Sequence, residues 1–347
     1  MVLEEFLQPD RLPAAPPMLA ASQPAALTPA SLTPAMQGVL TRMARAQMKP
    51  DFKPLHLLTP TQAREVYEKG AEVLEVAKAQ LARVEDLSFT NRDGAPIPFR
   101  LYATVQRTTT QDKLPVLLFF HGGGCVIGSI QTHDILCREL CRLSGAAVLS
   151  VDYRLAPEHP FPAAQNDAWD ALLWLRAHAD SLGLDGRRIA IGGDSAGGKL
   201  AAVCGHMSRD AGLLMALQLL IYPGTLTEQI SPSRRQYAQG YVLEAEHIRY
   251  FNDSTVRNID AGEWRFSPLN AENFSDLSSV ALFLAECDPL YDEGLQYADA
   301  LRVSGVTVHL DIYRGVTHEF IKMGRILPEA RRFHQDAALA LKQAFNL

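Results

Sequence analysis

The segment Gly193-Asp194-Ser195-Ala196-Gly197-Gly198 follows a run of apolar residues typical of a strand and precedes a helical pattern. Glycines leave room for a crowded backbone, so a sharp turn here would raise the Ser195 hydroxyl above the sheet. The start of the following helix would supply unpaired amides and a positive dipole, which stabilise an alkoxide or an oxyanion. A chance Gly-x-Ser-x-Gly is expected in about one chain in ten of this length. The segment therefore indicates a nucleophilic serine, and its position strengthens the indication.

A second glycine cluster, His121-Gly122-Gly123-Gly124, follows the apolar run 116–120. Three successive glycines destabilise regular structure, which indicates a backbone that must closely approach another group. In a hydrolase such amides bind the oxygen of a tetrahedral intermediate, and each contributes about 3 kcal/mol to stabilising the transition state. A flexible loop or a phosphate-binding turn is the alternative. A phosphate loop, however, would have Lys and Ser or Thr after the glycines, where this chain has Cys125 and Val126.

A nucleophilic serine needs a general base, and the base needs a carboxylate to orient it. Of the 10 histidines, His318 lies just after the last strand pattern and before the C-terminal helical pattern, where a base must stand. Asp288 directly follows another strand, and Asp292 and Glu293, one turn later, are the alternative carboxylates. The order Ser195, Asp288, His318 is the chain order of α/β-hydrolase triads. The other histidines weighed as bases are expected to be packed or solvated: His56, His178, His206, His247 and His309.

The elements that must position these residues alternate between strand and helix. Strands are predicted around 97–105 and at 116–120, 146–151, 189–191, 217–221, 280–285 and 306–312. Helices are predicted at about 133–143, 163–180, 196–209, 291–304 and 328–345. Most of these strands are continuously apolar, which a sheet covered on both faces requires. The pattern predicts an α/β fold with a doubly wound, mostly parallel sheet and a helical cap.

The segments outside this alternation divide the chain. Residues 1–84 are interpreted as a Pro- and Ala-rich lead-in followed by two helices of the cap. The first helix is predicted at about 35–48 with Thr33 as its N-cap residue, and the second from Thr59-Pro60-Thr61 to about 83. The catalytic domain is assigned to 85–223 and 267–347, and the polar and aromatic insertion 224–266 is predicted to be a lid.

Composition excludes several classes of protein. The net charge of −6 argues against a nucleic-acid partner. The longest apolar stretch, 213–222, is broken by Gln218 and is far shorter than the about 20 residues of a membrane span. The N-terminus carries Glu4, Glu5 and Asp10 rather than the basic region of a signal peptide. Five cysteines without a C-x-x-C spacing indicate a reducing compartment, so we expect a cytoplasmic protein with no metal.

Further motifs accompany the two glycine clusters: Thr132-His133-Asp134, residues 152–163 (DYRLAPEHPFPA), Ser267-Pro268-Leu269 and Asp288-Pro289-Leu290. In this set, which is highly specific, the chain resembles the hormone-sensitive-lipase-like (bacterial family IV) esterases of the α/β-hydrolase superfamily, from about residue 35 onward. The resemblance implies a triad of Ser195, Asp288 and His318 and an oxyanion hole formed by the amides of Gly123, Gly124 and Ala196. It also implies a cap made of the N-terminal helices and the insertion, no cofactor, and a homodimer paired through the last strand at 306–313.

Three positions depart from the family pattern. Lys199 stands where members usually have Asn, Cys125 replaces a bulky aromatic residue, and Glu319 replaces Gly. The first two are expected to alter the pocket rim or helix packing. Glu319 is expected to affect the pKa or the orientation of His318.

Other residues of these motifs are interpreted as structural. Asp194 is expected to hold the turn or a neighbouring loop, and His121 to orient the glycine cluster rather than transfer protons. Arg154, Glu158 and His159 are expected to form a salt-bridged and hydrogen-bonded loop.

The sequence thus predicts a serine carboxylesterase acting on small-molecule esters with short to medium acyl chains. One alternative is a non-catalytic small-molecule receptor on the same fold, as in the plant gibberellin receptors, which lack the catalytic histidine that His318 supplies here. The other is a hydrolase of amides or acetylated metabolites, because the triad alone does not set selectivity.

Overall fold

A computed structural model describes residues 31–106, 113–213, 215–227, 230–256 and 261–347. Residues 1–30, which include most of the predicted Pro- and Ala-rich lead-in, lie outside these ranges. No helix within the described ranges is both long enough and apolar enough to cross a membrane.

Eight strands form one sheet in the order β1-β2-β4-β3-β5-β6-β7-β8. β1 and β2 run antiparallel to their neighbours, whereas β3 to β8 are parallel throughout, which confirms the predicted mostly parallel sheet. The strands are β1 (Arg83–Thr90), β2 (Pro96–Ala103), β3 (Leu114–Phe120), β4 (Ala147–Val151), β5 (Leu184–Asp194), β6 (Leu217–Ile221), β7 (Val280–Cys287) and β8 (Val308–Thr317).

Helices cover both faces of this sheet, as the continuously apolar strands require. Leu172, Leu200 and Leu301 pack from α4, α5 and α8 against one face, and Val39, Leu140 and Leu341 pack from α1, α3 and α9 against the other. The helices are α1 (Pro34–Gln47), α2 (Pro60–Ala71), α3 (Asp134–Ser144), α4 (Ala163–Leu182), α5 (Ala196–Asp210), α6 (Pro232–Gln236), α7 (Ala245–Thr255), α8 (Tyr291–Val303) and α9 (Pro328–Phe345).

The two N-terminal helices begin where predicted. The Thr33 hydroxyl accepts a hydrogen bond from the Met36 amide, and Thr59 forms a reciprocal capping box with Gln62. The predicted extension of α2 to about residue 83 is wrong, because the helix ends at Ala71. Beyond it the backbone bonds to distant parts of the protein, such as the Arg325 amide that donates to the Leu74 carbonyl.

The sequence reading missed β1 as a separate strand. Only Arg83 and Phe89 are buried on this edge strand, so it lacks the apolar alternation that revealed β2. The insertion 224–266 contains α6 and α7 and lies between β6 and β7.

Candidate active site

Ser195 occupies a strained turn between β5 and α5. Its φ of 55° and ψ of −116° lie outside the regions that L-residues normally adopt. The turn passes so close to β3 that a Cβ atom at Gly193 or Gly197 would overlap the carbonyl oxygen of Phe120. Only glycine fits at these two positions, and the turn holds the Ser195 side chain above the carboxyl end of the sheet.

The structure brings Ser195, His318 and Asp288 together in one hydrogen-bonded chain. The Ser195 hydroxyl lies 2.9 Å from Nε2 of His318, and Nδ1 of His318 lies 2.6 Å from Oδ2 of Asp288. The second oxygen of Asp288 accepts a hydrogen bond of 2.8 Å from the Leu290 amide. These contacts fix both the carboxylate and the imidazole, and Nε2 of the imidazole faces the Ser195 hydroxyl.

The surroundings of His318 favour its charged form. Burial opposes protonation, but the negative charge and hydrogen bond of Asp288, together with Glu319, outweigh it and raise the pKa of His318 above its usual value. The ring of Tyr222 lies 4.4 Å from the imidazole, between centroids. Its φ of 32° is unusual for a tyrosine, and its buried hydroxyl has no partner among the described residues.

The glycine cluster lies beside Ser195 in a conformation that other residues rarely adopt. Gly123 has φ of 117° and Gly124 φ of 62°. Neither amide donates to an acceptor among the described residues. The amide of Ala196 begins α5, so it has no partner within that helix either. These three amides border the same cavity as the Ser195 hydroxyl.

Asp194 ties the glycine cluster to the serine turn, as predicted. Its buried carboxylate accepts a 2.9 Å hydrogen bond from the Gly122 amide and lies 3.2 Å from Nε2 of His133. Burial alone would raise the pKa of Asp194, but His133 lowers it below the usual value. The carboxylate therefore stays ionised beneath the loop.

His121 supports the loop without a charge. Its Nδ1 lies 2.8 Å from the Gly122 carbonyl oxygen, and its ring stacks on Tyr153 at 4.3 Å. Burial lowers its pKa to about 3. A neutral, packed imidazole agrees with the orienting role predicted for it.

A cavity of about 670 Å³ opens above Ser195. We call it the active-site cavity; the N-terminal helices, the insertion and the ends of the strands all contribute to its walls. Its lining includes Phe52, Leu55, Tyr67, Gly123, Gly124, Cys125, Ser195, Lys199, Leu243, His247, Phe251, Phe266, Leu290, His318 and Glu319. The walls carry more apolar than polar groups, as is usual for sites that bind small organic molecules.

The insertion packs directly against the glycine cluster. A Cβ atom at Gly124 would overlap the ring of Phe251 on α7, and the Thr255 hydroxyl donates to the Gly124 carbonyl oxygen at 3.3 Å. α7 also meets the N-terminal segment, where the rings of His56 and His247 lie 5.9 Å apart.

The alternative carboxylates do not reach His318. Asp292 accepts a hydrogen bond from the Ser233 amide, and Glu293 binds Arg234 and the backbone of residues 225–226. Both carboxylates therefore bind residues of the insertion and not His318. Arg154 pairs with Asp167 and Asp93, and Glu158 pairs with Arg64, which confirms the predicted salt-bridged loop.

Sequence reasoning missed two residues around the site. Tyr222 directly follows β6, and its position at the end of a parallel strand was a signal that could have found it. Tyr67 lies on α2, where the spacing of residues gave no sign of which side faces the cavity. Phe251 is one of the aromatic residues of the insertion that the sequence predicts either to line an acyl pocket or to form the core of the lid, and it lines the cavity. No group of three or more His, Cys, Asp or Glu side chains in the described ranges is arranged to hold a metal ion.

Comparison with known proteins agrees with this geometry. A family model described as α/β hydrolase fold matches residues 117–322. The ethyl acetate hydrolase of Pseudomonas putida is 40% identical over 80% of this chain and 88% of its own length. The carboxylesterase NlhH of Mycobacterium tuberculosis is 35% identical over 86% of this chain and 98% of its own. An ester hydrolase from the metagenome of Lake Arreo, solved with a bipyridine phosphonate derivative, superposes with a TM-score of 0.87 and is 37% identical, covering 91% of this chain and 100% of that one. The chain therefore belongs to the α/β-hydrolase fold family, in its hormone-sensitive-lipase-like branch of carboxylic ester hydrolases.

Proposed function

We propose that this protein is a serine carboxylesterase that hydrolyses short- to medium-chain esters through an acyl-enzyme on Ser195. The observation that carries the proposal is the hydrogen-bonded chain Ser195–His318–Asp288, open to a cavity that three backbone amides border. Curated relatives at 35–40% identity are named as ester hydrolases, in agreement with this chemistry.

In the first half of the reaction, the Ser195 oxygen bonds to the ester carbonyl carbon while its proton passes to Nε2 of His318. The carbonyl electron pair moves onto its oxygen, which the amides of Gly123, Gly124 and Ala196 receive. Asp288 stabilises the imidazolium and keeps its orientation. When the intermediate collapses, the bond to the alcohol breaks, and the alcohol leaves with the proton held by His318.

In the second half, water attacks the acyl-enzyme and gives a proton to His318. The oxyanion forms again at the same amides, and its collapse breaks the bond to Ser195. The serine oxygen recovers the proton from His318, and the carboxylic acid leaves. The net reaction converts ester and water into acid and alcohol.

The size of the cavity supports short to medium acyl chains. About 670 Å³ accommodates a small ester, and Phe251 and Phe266 border the space around Ser195. The Pseudomonas putida relative is named for ethyl acetate, an ester with two short chains.

The test combines a covalent probe with a series of p-nitrophenyl esters from acetate to palmitate. We expect a fluorophosphonate to label the wild type and not Ser195→Ala, and the variant to lose about 10⁴-fold or more in kcat/KM. The rate should peak among the shorter chains. An unlabelled wild type would instead favour a binding protein, a peak at palmitate would contradict the chain-length assignment, and faster cleavage of matched anilides would favour an amidase.

We further propose that α1, α2 and the insertion 224–266 form a cap over the catalytic domain made of residues 85–223 and 267–347. We also propose a homodimer paired through β8, since this strand is at the edge of the sheet. A cytoplasmic location is our third proposal, and it is supported by the odd number of cysteines, their lack of a C-x-x-C spacing and their burial.

A further inference from the structure

Lys199 is a cation in the wall of the active-site cavity, and none of the described carboxylates forms a salt bridge with it. It lies one helical turn after Ser195 on α5, so the two Cα atoms are separated by about 6 Å along the helix. Long side chains on a helix lean toward its N-terminus, which here is the end that carries Ser195. Both side chains accordingly line the same cavity.

The backbone holds Lys199 firmly against the serine turn. The carbonyl oxygen of Ser195 accepts hydrogen bonds from the amides of Lys199, at 3.0 Å, and Gly224, at 3.3 Å. The ammonium lies 4.1 Å from the centroid of the Phe266 ring. The backbone hydrogen bond to Ser195 and the contact with the Phe266 ring therefore fix the position of the Lys199 side chain relative to the reacting serine.

Glu293 is the carboxylate whose negative charge acts on Lys199, but its oxygens already accept hydrogen bonds from other groups. One oxygen accepts from the amides of Thr225 and Leu226 at 2.8 and 3.2 Å, and the other accepts twice from Arg234 at 2.6 and 3.0 Å. Arg234 thus balances the charge of Glu293. Within the described ranges, the Lys199 ammonium forms neither a salt bridge nor a side-chain hydrogen bond, so no carboxylate of the cavity wall pairs with it directly.

The remaining neighbour is Cys125, whose buried thiol has its pKa raised and so stays neutral. Burial lowers the pKa of Lys199, as expected for an ammonium partly removed from water without a partner. An unpaired cation beside a reacting serine is costly unless a bound group supplies the opposite charge.

We propose that Lys199 forms an anion subsite that recognises a carboxylate on the acyl chain of the substrate. This inference rests on the proposed ester hydrolysis at Ser195. It assigns monoesters of dicarboxylic acids as a preferred substrate class: the ester carbonyl reacts at Ser195 while the distal carboxylate pairs with the Lys199 ammonium. Phe266 and Leu290 line the cavity with Lys199 and provide apolar contact for the intervening methylene groups.

The experiment compares a charged ester with a neutral one of the same chain. Monomethyl glutarate and methyl pentanoate differ only in a terminal carboxylate against a methyl group, and methanol release measures both. We expect Lys199→Met to lower the ratio of kcat/KM, charged over neutral, by about tenfold to a hundredfold, the usual effect of losing a hydrogen bond to a charged group. Lys199→Arg should retain most of the ratio.

Hydrolysis of methyl pentanoate reports on the fold and on the proposed esterase activity in every variant. Lys342→Met, which removes an exposed lysine from α9, is the matched control and should leave the ratio unchanged. If Lys199→Met cleaves both esters with the wild-type ratio, or if Lys342→Met lowers the ratio equally, the anion subsite is wrong. Loss of methyl pentanoate hydrolysis in the wild type would instead contradict the esterase itself.

A series of monomethyl esters from malonate to adipate tests whether the charge is fixed in place. A built subsite predicts a maximum at one spacer length in the wild type and a flat profile in Lys199→Met. A flat profile in the wild type would overturn the proposal, because a diffuse positive field does not discriminate by spacer length.

Discussion

The hydroxyl of Tyr67, on the N-terminal helix α2, donates a 2.6 Å hydrogen bond to the carboxylate of Glu319, the residue that follows His318. Lys322 in turn donates to the Tyr67 hydroxyl at 3.2 Å. Glu319 has φ of 61° and borders the active-site cavity. A carboxylate held by helix α2 therefore lies beside the proposed general base.

This arrangement predicts a shift in the pH dependence of hydrolysis. Glu319 is one of the groups that raise the pKa of His318, and His318 must be neutral to accept the serine proton. Glu319→Gln removes that contribution, so the pKa of His318 should fall and activity should extend to lower pH. The acid limb of kcat/KM against pH measures the shift, and Glu65→Gln, on the exposed side of α2, serves as control. An acid limb that moves upward in Glu319→Gln would contradict the electrostatic role.

Asp194 is predicted to act through the glycine loop. Asp194→Asn removes the charge that holds the Gly122 amide and His133, so the oxyanion amides should lose their alignment. We expect kcat to fall by about tenfold to a thousandfold with a much smaller change in KM, as when an oxyanion donor is lost. Steady-state kinetics on a short p-nitrophenyl ester provide the measurement. An increase in KM alone would assign Asp194 to substrate binding.

Gly197 should tolerate no side chain. Because a Cβ atom there would overlap the Phe120 carbonyl oxygen, Gly197→Ala is expected to lower the free energy of unfolding by about 1–3 kcal/mol or more and to displace Ser195. Gly38→Ala is the matched control, since its Cβ atom would meet nothing within 4 Å on helix α1. Urea denaturation measures the free energy of unfolding of both variants. Equal values for Gly197→Ala and Gly38→Ala would show that the turn can relax around the added methyl group.

Phe251 is predicted to limit the length of the acyl chain. Phe251→Ala removes the ring that covers Gly124 and enlarges the cavity, so the preferred p-nitrophenyl ester should become longer. The rate on acetate should fall at the same time, because the loop loses its cover. Leu339→Ala on the exposed face of α9 controls for truncation of an apolar residue. An unchanged chain-length profile would place the limit elsewhere.

The proposed dimer makes Ile312 a test position on β8, where it is 37% exposed. Ile312→Lys places a charge on the edge strand, which disfavours pairing with another edge. Light scattering should show a dimer for the wild type and a monomer for the variant, with ester hydrolysis retained. A monomeric wild type at tens of micromolar would reject the interface.

The sequence alone determined which segments form the parallel strands, the order of these strands along the chain, and the identity of the triad candidates. Apolar runs report burial directly, and the glycine clusters mark positions where backbone must approach backbone, as Gly197 does against Phe120. The same reasoning placed His318 and Asp288 at strand ends, where the structure brings them within hydrogen-bonding distance.

Only the tertiary structure decided how α2 and the insertion 224–266 contact this site. The contacts of Tyr67 with Glu319 and of Phe251 with Gly124 each join residues more than a hundred positions apart in the sequence. The end of α2 at Ala71 was also visible only in the structure. Local sequence carries no record of such contacts, because the partner that lowers the free energy lies in another element. That Lys199 has no salt-bridge partner among the described residues is likewise visible only in the structure, where Glu293 forms its salt bridge with Arg234.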